Sequence, residues 1–133
     1  MAQNKGSRTK KQVVGDIGED IVCRYLERNG HSVIERNYRK KWGEIDIIAQ
    51  KEGVVHFVEV KTVSDSGMGE IGIDSYRPED NVHPRKLKRL ARVVATYLAN
   101  GRDDVAWQFD IAAVFLDKVN KKARVRYLQD IVL

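Results

Sequence analysis

Two apolar, β-branched runs stand almost back to back in this chain: Gly43-Glu44-Ile45-Asp46-Ile47-Ile48-Ala49-Gln50 and Val54-Val55-His56-Phe57-Val58-Glu59-Val60-Lys61-Thr62. Only Lys51-Glu52-Gly53 separates them, a three-residue connection containing glycine, and the arrangement reads as a hairpin. A chain whose middle is committed to such a hairpin must build a sheet and then cover it. Both runs also carry ionisable residues where a buried strand favours Val or Ile, and such exceptions need a reason.

The length of 133 residues suits one domain with a real core and is too short for two. Hydrophobic residues at 42% and charged residues at 32% fit a folded soluble chain rather than a disordered one. No apolar run approaches the roughly 20 residues needed to span a bilayer. No apolar signal segment follows Met1-Ala2-Gln3-Asn4-Lys5, so the expectation is a cytoplasmic protein with no membrane partner. The single Cys23 excludes an internal disulfide, lacks the companions of a zinc-thiolate site, and reads as a small core residue.

The net charge of +5 is compatible with a polyanionic partner. Its distribution matters more than its total. Basic residues gather in an N-terminal arm (Lys5, Arg8, Lys10, Lys11), in Arg36, Arg39, Lys40 and Lys41, and in Arg85, Lys86, Lys88, Arg89 and Arg92. Acidic residues gather between Asp65 and Asp80.

The expected organisation is a basic arm over residues 1–12 and a single domain over 13–133. The first helix ends at Asn29-Gly30, where a left-handed residue closes it, and its start is open between Thr9-x-x-Gln12 and Asp16-x-x-Glu19, both capping-box patterns. Ile17, Ile21, Val22, Tyr25 and Leu26 form its sheet-facing stripe. Ser32 to Tyr38 reads as a strand, Arg39-Lys40-Lys41 as a turn, and the hairpin strands complete an antiparallel meander. Residues 63–82, with Gly67, Gly69, Gly72 and Pro78, read as a mobile loop of the kind that is usually functional or disordered.

Pro84 suits the first turn of a second helix running to Asn100-Gly101, with Leu87, Leu90, Ala91, Val94 and Leu98 at helical spacing. Val105 to Leu116 alternates Trp107, Phe109, Ile111, Ala113 and Phe115 on one face, and Ala123 to Leu128 forms the last strand. The order α-β-β-β-α-β-β makes an α/β sandwich around a mixed five-stranded sheet.

Side chains alternate across a strand, so Glu59 and Lys61 share one face while Val58, Val60 and Thr62 take the other; Glu44 and Asp46 share a face of the neighbouring strand. If those faces coincide, carboxylates and one ammonium meet in a small volume, and the carboxylates repel unless a cation or proton separates them. Mg²⁺ resolves this economically, because it needs only one or two carboxylates and completes its shell with water and phosphate oxygens. Such a cation acidifies a bound water and neutralises charge on a scissile phosphate. Lys61 then serves as a compact cation facing the phosphate.

Asp46 followed by Glu59-Val60-Lys61 resembles the Asp...Glu-x-Lys signature of the PD-(D/E)xK nuclease superfamily, the restriction-endonuclease-like fold that includes tRNA endonucleases and resolvases. More closely, Gly15-x-x-Gly18-Glu19, Asn37-Tyr38-Arg39, Gly43 to Ala49, Phe57 to Thr62, Lys86 ahead of an amphipathic helix, and Phe109-Asp110 resemble the YraN-like bacterial family, uncharacterised protein family 0102. That family is usually grouped with archaeal Holliday-junction resolvases. The resemblance spans residues 12–133. It implies that Asp46, Glu59 and Glu19 ligate or support Mg²⁺ or Mn²⁺ and that Lys61 is the catalytic lysine. The family often places Arg where this chain has Val63 and Gln108. Paired subunits, as in resolvases that cut two strands, are a further expectation; no interface is legible.

The expectation is therefore a nucleic-acid-binding protein of nuclease fold, a metal-dependent endonuclease acting on structured or branched DNA. Arg39, Lys40, Lys41, Lys86 and Arg89 would supply salt-dependent, sequence-independent contacts to phosphates. The rival is a non-catalytic nucleic-acid-binding or scaffold module retaining the fold, and a third reading is an RNA-processing nuclease. Plainer roles stand beside each residue: Lys61 in a structural salt bridge with Asp46 or Glu59, Glu19 as the capping partner of Asp16, Asp110 bound to backbone groups or an Arg, and Trp107 in the core. Trp42 is a candidate for stacking on bases.

Overall fold

The computed structural model describes residues 8–64, 83–101 and 104–133. Helix α1 (Lys10–Arg28) leads into strands β1 (Ser32–Lys40), β2 (Gly43–Lys51) and β3 (Val54–Ser64); helix α2 (Pro84–Leu98) follows, then β4 (Ala106–Asp117) and β5 (Lys122–Leu128). The order is the expected one. The five strands lie side by side in chain order, antiparallel except for the parallel β3–β4 pair. The parallel pair needs a crossover, which α2 belongs to. Apolar clusters occupy both faces, one with Leu90, Val93 and Val94 of α2 and the other with Val22, Cys23 and Leu26 of α1.

Several local expectations are refined. Thr9 is the N-cap of α1: its hydroxyl accepts from Gln12 N–H while the Gln12 side chain accepts from Thr9 N–H. The part of the expected arm from Thr9 to Gln12 is thus the start of the helix, and Asp16 lies inside it rather than capping it. Gly30 closes the helix at φ 89°, as expected. The sheet-facing arc of α1 is Gly18, Glu19, Val22, Cys23 and Leu26, and Ile17 is 43% exposed. The reason is proximity: a Cβ on Gly18 would stand 1.9 Å from Thr62 Oγ1, so the helix rests on β3 where its side chains are smallest.

Arg39 and Lys40 belong to β1, and only Lys41-Trp42 turns. The β2–β3 connection is likewise tighter than expected, because Lys51 pairs with Val54 and leaves Glu52 (φ 50°) and Gly53 (φ 81°) as a two-residue turn of the primed type. Strand β4 is buried on both faces from Phe109 to Phe115 rather than alternating, since β3 and β5 flank it and helices cover the sheet. Trp107, near the start of β4, is 43% exposed and does not fill the core. On α2 the buried positions are Leu90, Val93, Val94 and Tyr97, a stripe rotated from the expected one. Val63 and Ser64 extend β3 beside Phe115 and Leu116, and the remainder of the expected 63–82 loop, with its acidic residues, lies outside the described residues.

Candidate functional site

Strands β2 and β3 pair from Lys51↔Val54 to Ile47↔Val58 and then part. Asp46 stands at the parting. Ile45 and Ile47 would share a face of a regular strand, yet Ile45 packs in the α2-side cluster and Ile47 in the α1-side cluster. The strict alternation expected for Glu44 and Asp46 is therefore interrupted at Asp46. Across the β1–β2 ladder the interruption is matched by Asn37 at φ 55°, between the pairs Arg36↔Ile47 and Tyr38↔Ile45. Asn tolerates that left-handed conformation better than most residues.

The Asp46 carboxylate turns toward β3 and accepts a hydrogen bond from Val60 N–H at 2.7 Å. Burial and the neighbouring Glu59 push its acid up to about 8, against the opposing effect of the Val60 N–H. Glu59, one residue earlier on β3, is mostly buried at 13% side-chain exposure and receives Lys86 Nζ at 2.5 Å. Lys86 comes from the first turn of α2. The expected structural ion pair of Lys61 with Asp46 or Glu59 is not formed among the described residues; Glu59 pairs with Lys86 instead. The Lys61 side chain is exposed, with no hydrogen bond or ion pair to any other described residue.

Glu19 reaches the same neighbourhood from α1. One carboxylate oxygen accepts from Arg36 at 3.1 Å and from Asn37 at 3.2 Å, while burial raises its acid against the lowering effect of Arg36. Its charge, with that of Glu44, adds to the repulsion felt by Asp46. Gly18 explains how the helix comes close enough to deliver Glu19. Sequence reasoning noted Arg36 and Lys86 as basic residues, and Lys86 and Asn37 within family blocks, but missed the roles of Arg36 and Asn37 on Glu19, of the Val60 N–H on Asp46 and of Lys86 on Glu59.

The donor set can be weighed against a cation. Among the described residues no group of three or more His, Cys, Asp or Glu side chains is arranged as a metal-ligand cluster. Mg²⁺ does not need one, because one or two carboxylates with water satisfy it. Asp46 and Glu59, mutually repelling and with Asp46 given only the Val60 N–H among the described residues, fit that lesser requirement.

The basic residues join into one surface beside this centre. Gly43, at the foot of β2, lies against α2 so closely that a Cβ there would stand 3.0 Å from Val93 and 3.7 Å from Arg89. The Arg92 guanidinium lies 4.2 Å from the centroid of the Trp42 ring, so one face of that indole already has a partner. The β1–β2 turn with Lys41 therefore abuts the α2 face carrying Lys86, Arg89 and Arg92. Arg39 pairs with Glu44 at 3.1 Å and Lys40 lies 5.1 Å from the centroid of the Tyr38 ring.

Two other features stand apart. Asp110 is fully buried and accepts from Gln108 Nε2 and Asp130 N–H, both at 2.9 Å, from Tyr127 OH at 2.5 Å and from His56 Nδ1 at 2.7 Å. It satisfies one backbone group, as expected, and takes the His56 imidazole as a side-chain partner. A cleft of about 620 Å³ between the start of α1 and the β4–β5 hairpin, floored by Val13, Ile17 and Leu116, includes none of the carboxylates above.

Among the described residues no helix is long and apolar enough to cross a membrane. Residues 18–114 match the model of "Uncharacterised protein family UPF0102", a span that holds Glu19, Asp46, Glu59, Lys61 and Lys86. The chain is 41% identical over 109 residues to a UPF0102 protein of Alkaliphilus metalliredigens, covering 81% of this chain and 90% of the relative. It is 37% identical over 117 residues to one of Flavobacterium psychrophilum, covering 88% and 91%, and 31% identical over 128 residues to one of Acetivibrio thermocellus, covering 95% and 93%. On the family match and on these near full-length similarities, the chain belongs to the UPF0102 family.

Proposed function

We propose that this protein is a divalent-metal-dependent endonuclease of restriction-endonuclease-like fold that hydrolyses phosphodiester bonds in structured or branched DNA. One observation carries the reading: Asp46 and Glu59 are held together where β2 leaves β3, and burial with mutual repulsion raises the Asp46 acid. An arrangement that unfavourable for two carboxylates is what a cation would relieve. Asp46 and Glu59 would hold Mg²⁺ or Mn²⁺, with Glu19 as a supporting charge behind them. The cation, when bound, supplies neutralising charge for the scissile phosphate and acidifies a water.

The chain's own residues do the rest. Val60 N–H fixes the Asp46 carboxylate, and Arg36 with Asn37 fixes Glu19. Lys61, exposed two residues beyond Glu59, offers its ammonium to a phosphate oxygen or to the attacking water. The surface formed by Lys41, Lys86, Arg89 and the β1 residues Arg39 and Lys40 tracks the phosphate backbone without reading bases.

A second reading, a non-catalytic nucleic-acid-binding module, is favoured by the Lys86–Glu59 ion pair, which already neutralises one of the two carboxylates. The deciding experiment incubates the purified protein with flap, four-way-junction, single-stranded and duplex DNA in Mg²⁺ or Mn²⁺, beside Lys61→Ala and with RNA as competitor. Cleavage lost in Lys61→Ala supports the enzyme; absence of cleavage in every substrate leaves the binding module.

A further inference from the structure

Lys86 sits in a position that its own helix disfavours. The first turn of α2 contains Arg85 and Lys86 and no acid, although the positive end of the helix dipole lies there. Lys86 finds compensation outside the helix, on Glu59 Oε2 at 2.5 Å. Glu59 is largely buried and Lys86 is 44% exposed, so the carboxylate is fixed while the ammonium has room to leave. Arg89, one turn further along α2, is exposed and continues the cationic face away from Glu59.

We propose that Lys86 is a displaceable stand-in cation: it occupies Glu59 in the metal-free protein, and a divalent ion binding at Asp46 and Glu59 releases it to bind a phosphate of the nucleic acid at the start of α2. The inference rests on the metal-dependent reading of those carboxylates and adds a regulation to it. Lys86 holds only Oε2 of Glu59, but an ammonium and a divalent ion on the same carboxylate repel each other, so binding of one weakens the other. Once released, the ammonium joins Arg85 beside the positive end of the helix dipole; His83 already accepts from the Arg85, Lys86 and Leu87 N–H groups, so the two side chains supply the phosphate contacts. Metal binding and phosphate binding therefore reinforce each other through one side chain, and by linkage the coupling is reciprocal.

Calorimetry with Mn²⁺ alone tests the first half. Wild type, Lys86→Ala, Lys88→Ala and Glu59→Gln are titrated; Lys88 is the control, an exposed neighbouring cation with no carboxylate partner among the described residues. Lys86→Ala should bind Mn²⁺ about fivefold or more tightly than wild type, the lower end of ordinary coupling. Lys88→Ala should change much less, and Glu59→Gln should lose the site. Fluorescence anisotropy with a labelled four-way junction tests the second half, in the Lys61→Ala background so that the probe stays whole. There Mn²⁺ should tighten binding about fivefold or more, and adding Lys86→Ala should remove most of that gain.

Mn²⁺ bound by wild type and lost in Glu59→Gln, but bound with unchanged or weaker affinity by Lys86→Ala, overturns the stand-in role and leaves the metal site intact. Equal tightening in Lys86→Ala and Lys88→Ala also overturns it, because diffuse charge then explains the effect. Flat titrations for every protein overturn the metal reading itself and this inference with it.

Discussion

Asp110 on β4 and Asp46 on β2 are both drawn into the sheet, with β3 between their strands, yet they are supplied very differently. Asp110 has an amide, a phenol, a backbone N–H and an imidazole nitrogen directed at its two oxygens. Asp46 has one backbone N–H and a carboxylate for a neighbour. A buried anion with four donors is a finished structural element. A buried acid with one donor among the described residues and a carboxylate beside it is unfinished, and it identifies the place where a ligand has something to add.

The largest effect that separates the two centres is on stability. Removing Asp110 leaves Tyr127, His56 and Asp130 N–H without their acceptor and breaks one tie between the C-terminal segment and β4, where Ile131 N–H to Phe109 O is another. Asp110→Ala should lower the unfolding free energy by about 3–5 kcal/mol, the range for breaking a buried charged network. Asp46→Asn keeps an oxygen for Val60 N–H and removes the repulsion, so it should unfold at or above the wild-type urea midpoint at pH 7 with chelator present. Equal destabilisation by the two substitutions would end the distinction.

The pH profile is the next largest. The folded Asp46 acid is raised from 3.8 to about 8, so between those values the native state holds a proton that the unfolded chain has released. The native state then binds more protons, and stability from this group is fully present below the unfolded value and lost as pH rises through the window. The loss amounts to about 1.4 kcal/mol per pH unit at most, on the order of a few kcal/mol in total. Urea midpoints taken between pH 5 and pH 8 in chelator should fall more steeply for wild type than for Asp46→Asn. Mn²⁺ should flatten the wild-type slope, because it replaces the proton. Parallel profiles for the two proteins would show that Asp46 is as well supplied as Asp110.

The element order and the membership of Asp46, Glu59 and Lys61 in adjacent strands were legible in the sequence because they depend on local patterns: β-branched runs, glycine turns and a capping box. What stayed hidden depends on close approach between segments distant in sequence. Nothing around Asp46 signals that β2 would leave β3 there, since the interruption arises jointly from Asn37 on one strand and the Val60 N–H on another. Burial of β4 on both faces was hidden because its alternation of large and small residues, Phe109 to Phe115, mimics a one-sided strand. Ile17 reads as core by hydrophobicity, but the helix approaches through Gly18 and turns Ile17 outward.

Gly18 allows a third test, aimed at the Asp46 centre. An added Cβ would meet Thr62 Oγ1 at 1.9 Å, so Gly18→Ala must push α1 off β3 or rotate Thr62. The expected loss is about 1–3 kcal/mol, in the usual range for overpacking. Because Thr62 Cβ would still stand 2.9 Å away, Thr62→Ala should restore only part of it. Glu19 moves with the helix, so Mn²⁺ affinity should fall in Gly18→Ala, while the Asp110 network is touched only indirectly, through Tyr25 on Tyr127 and His31 on His56. Stability recovered in the double variant without recovery of Mn²⁺ binding would assign Gly18 to delivery of Glu19 as well as to packing.

Gln108 gives the smallest and most discriminating effect. Its amide donates to Asp110 Oδ1 at 2.9 Å from a half-buried position. Oδ1 also accepts from Asp130 N–H, while Oδ2 has Tyr127 and His56. Deleting the amide therefore leaves no orphaned oxygen, and water can reach the vacated side. Gln108→Ala should lower stability by about 1 kcal/mol or less, read as a small shift in urea midpoint with an unchanged slope. A loss approaching that of Asp110→Ala would mean that Asp110 depends on each donor separately, and the number of donors would no longer distinguish a structural carboxylate from a site. A small loss keeps that distinction and places redundancy at Asp110, where the fold needs it, and scarcity at Asp46, where a ligand would supply the missing charge.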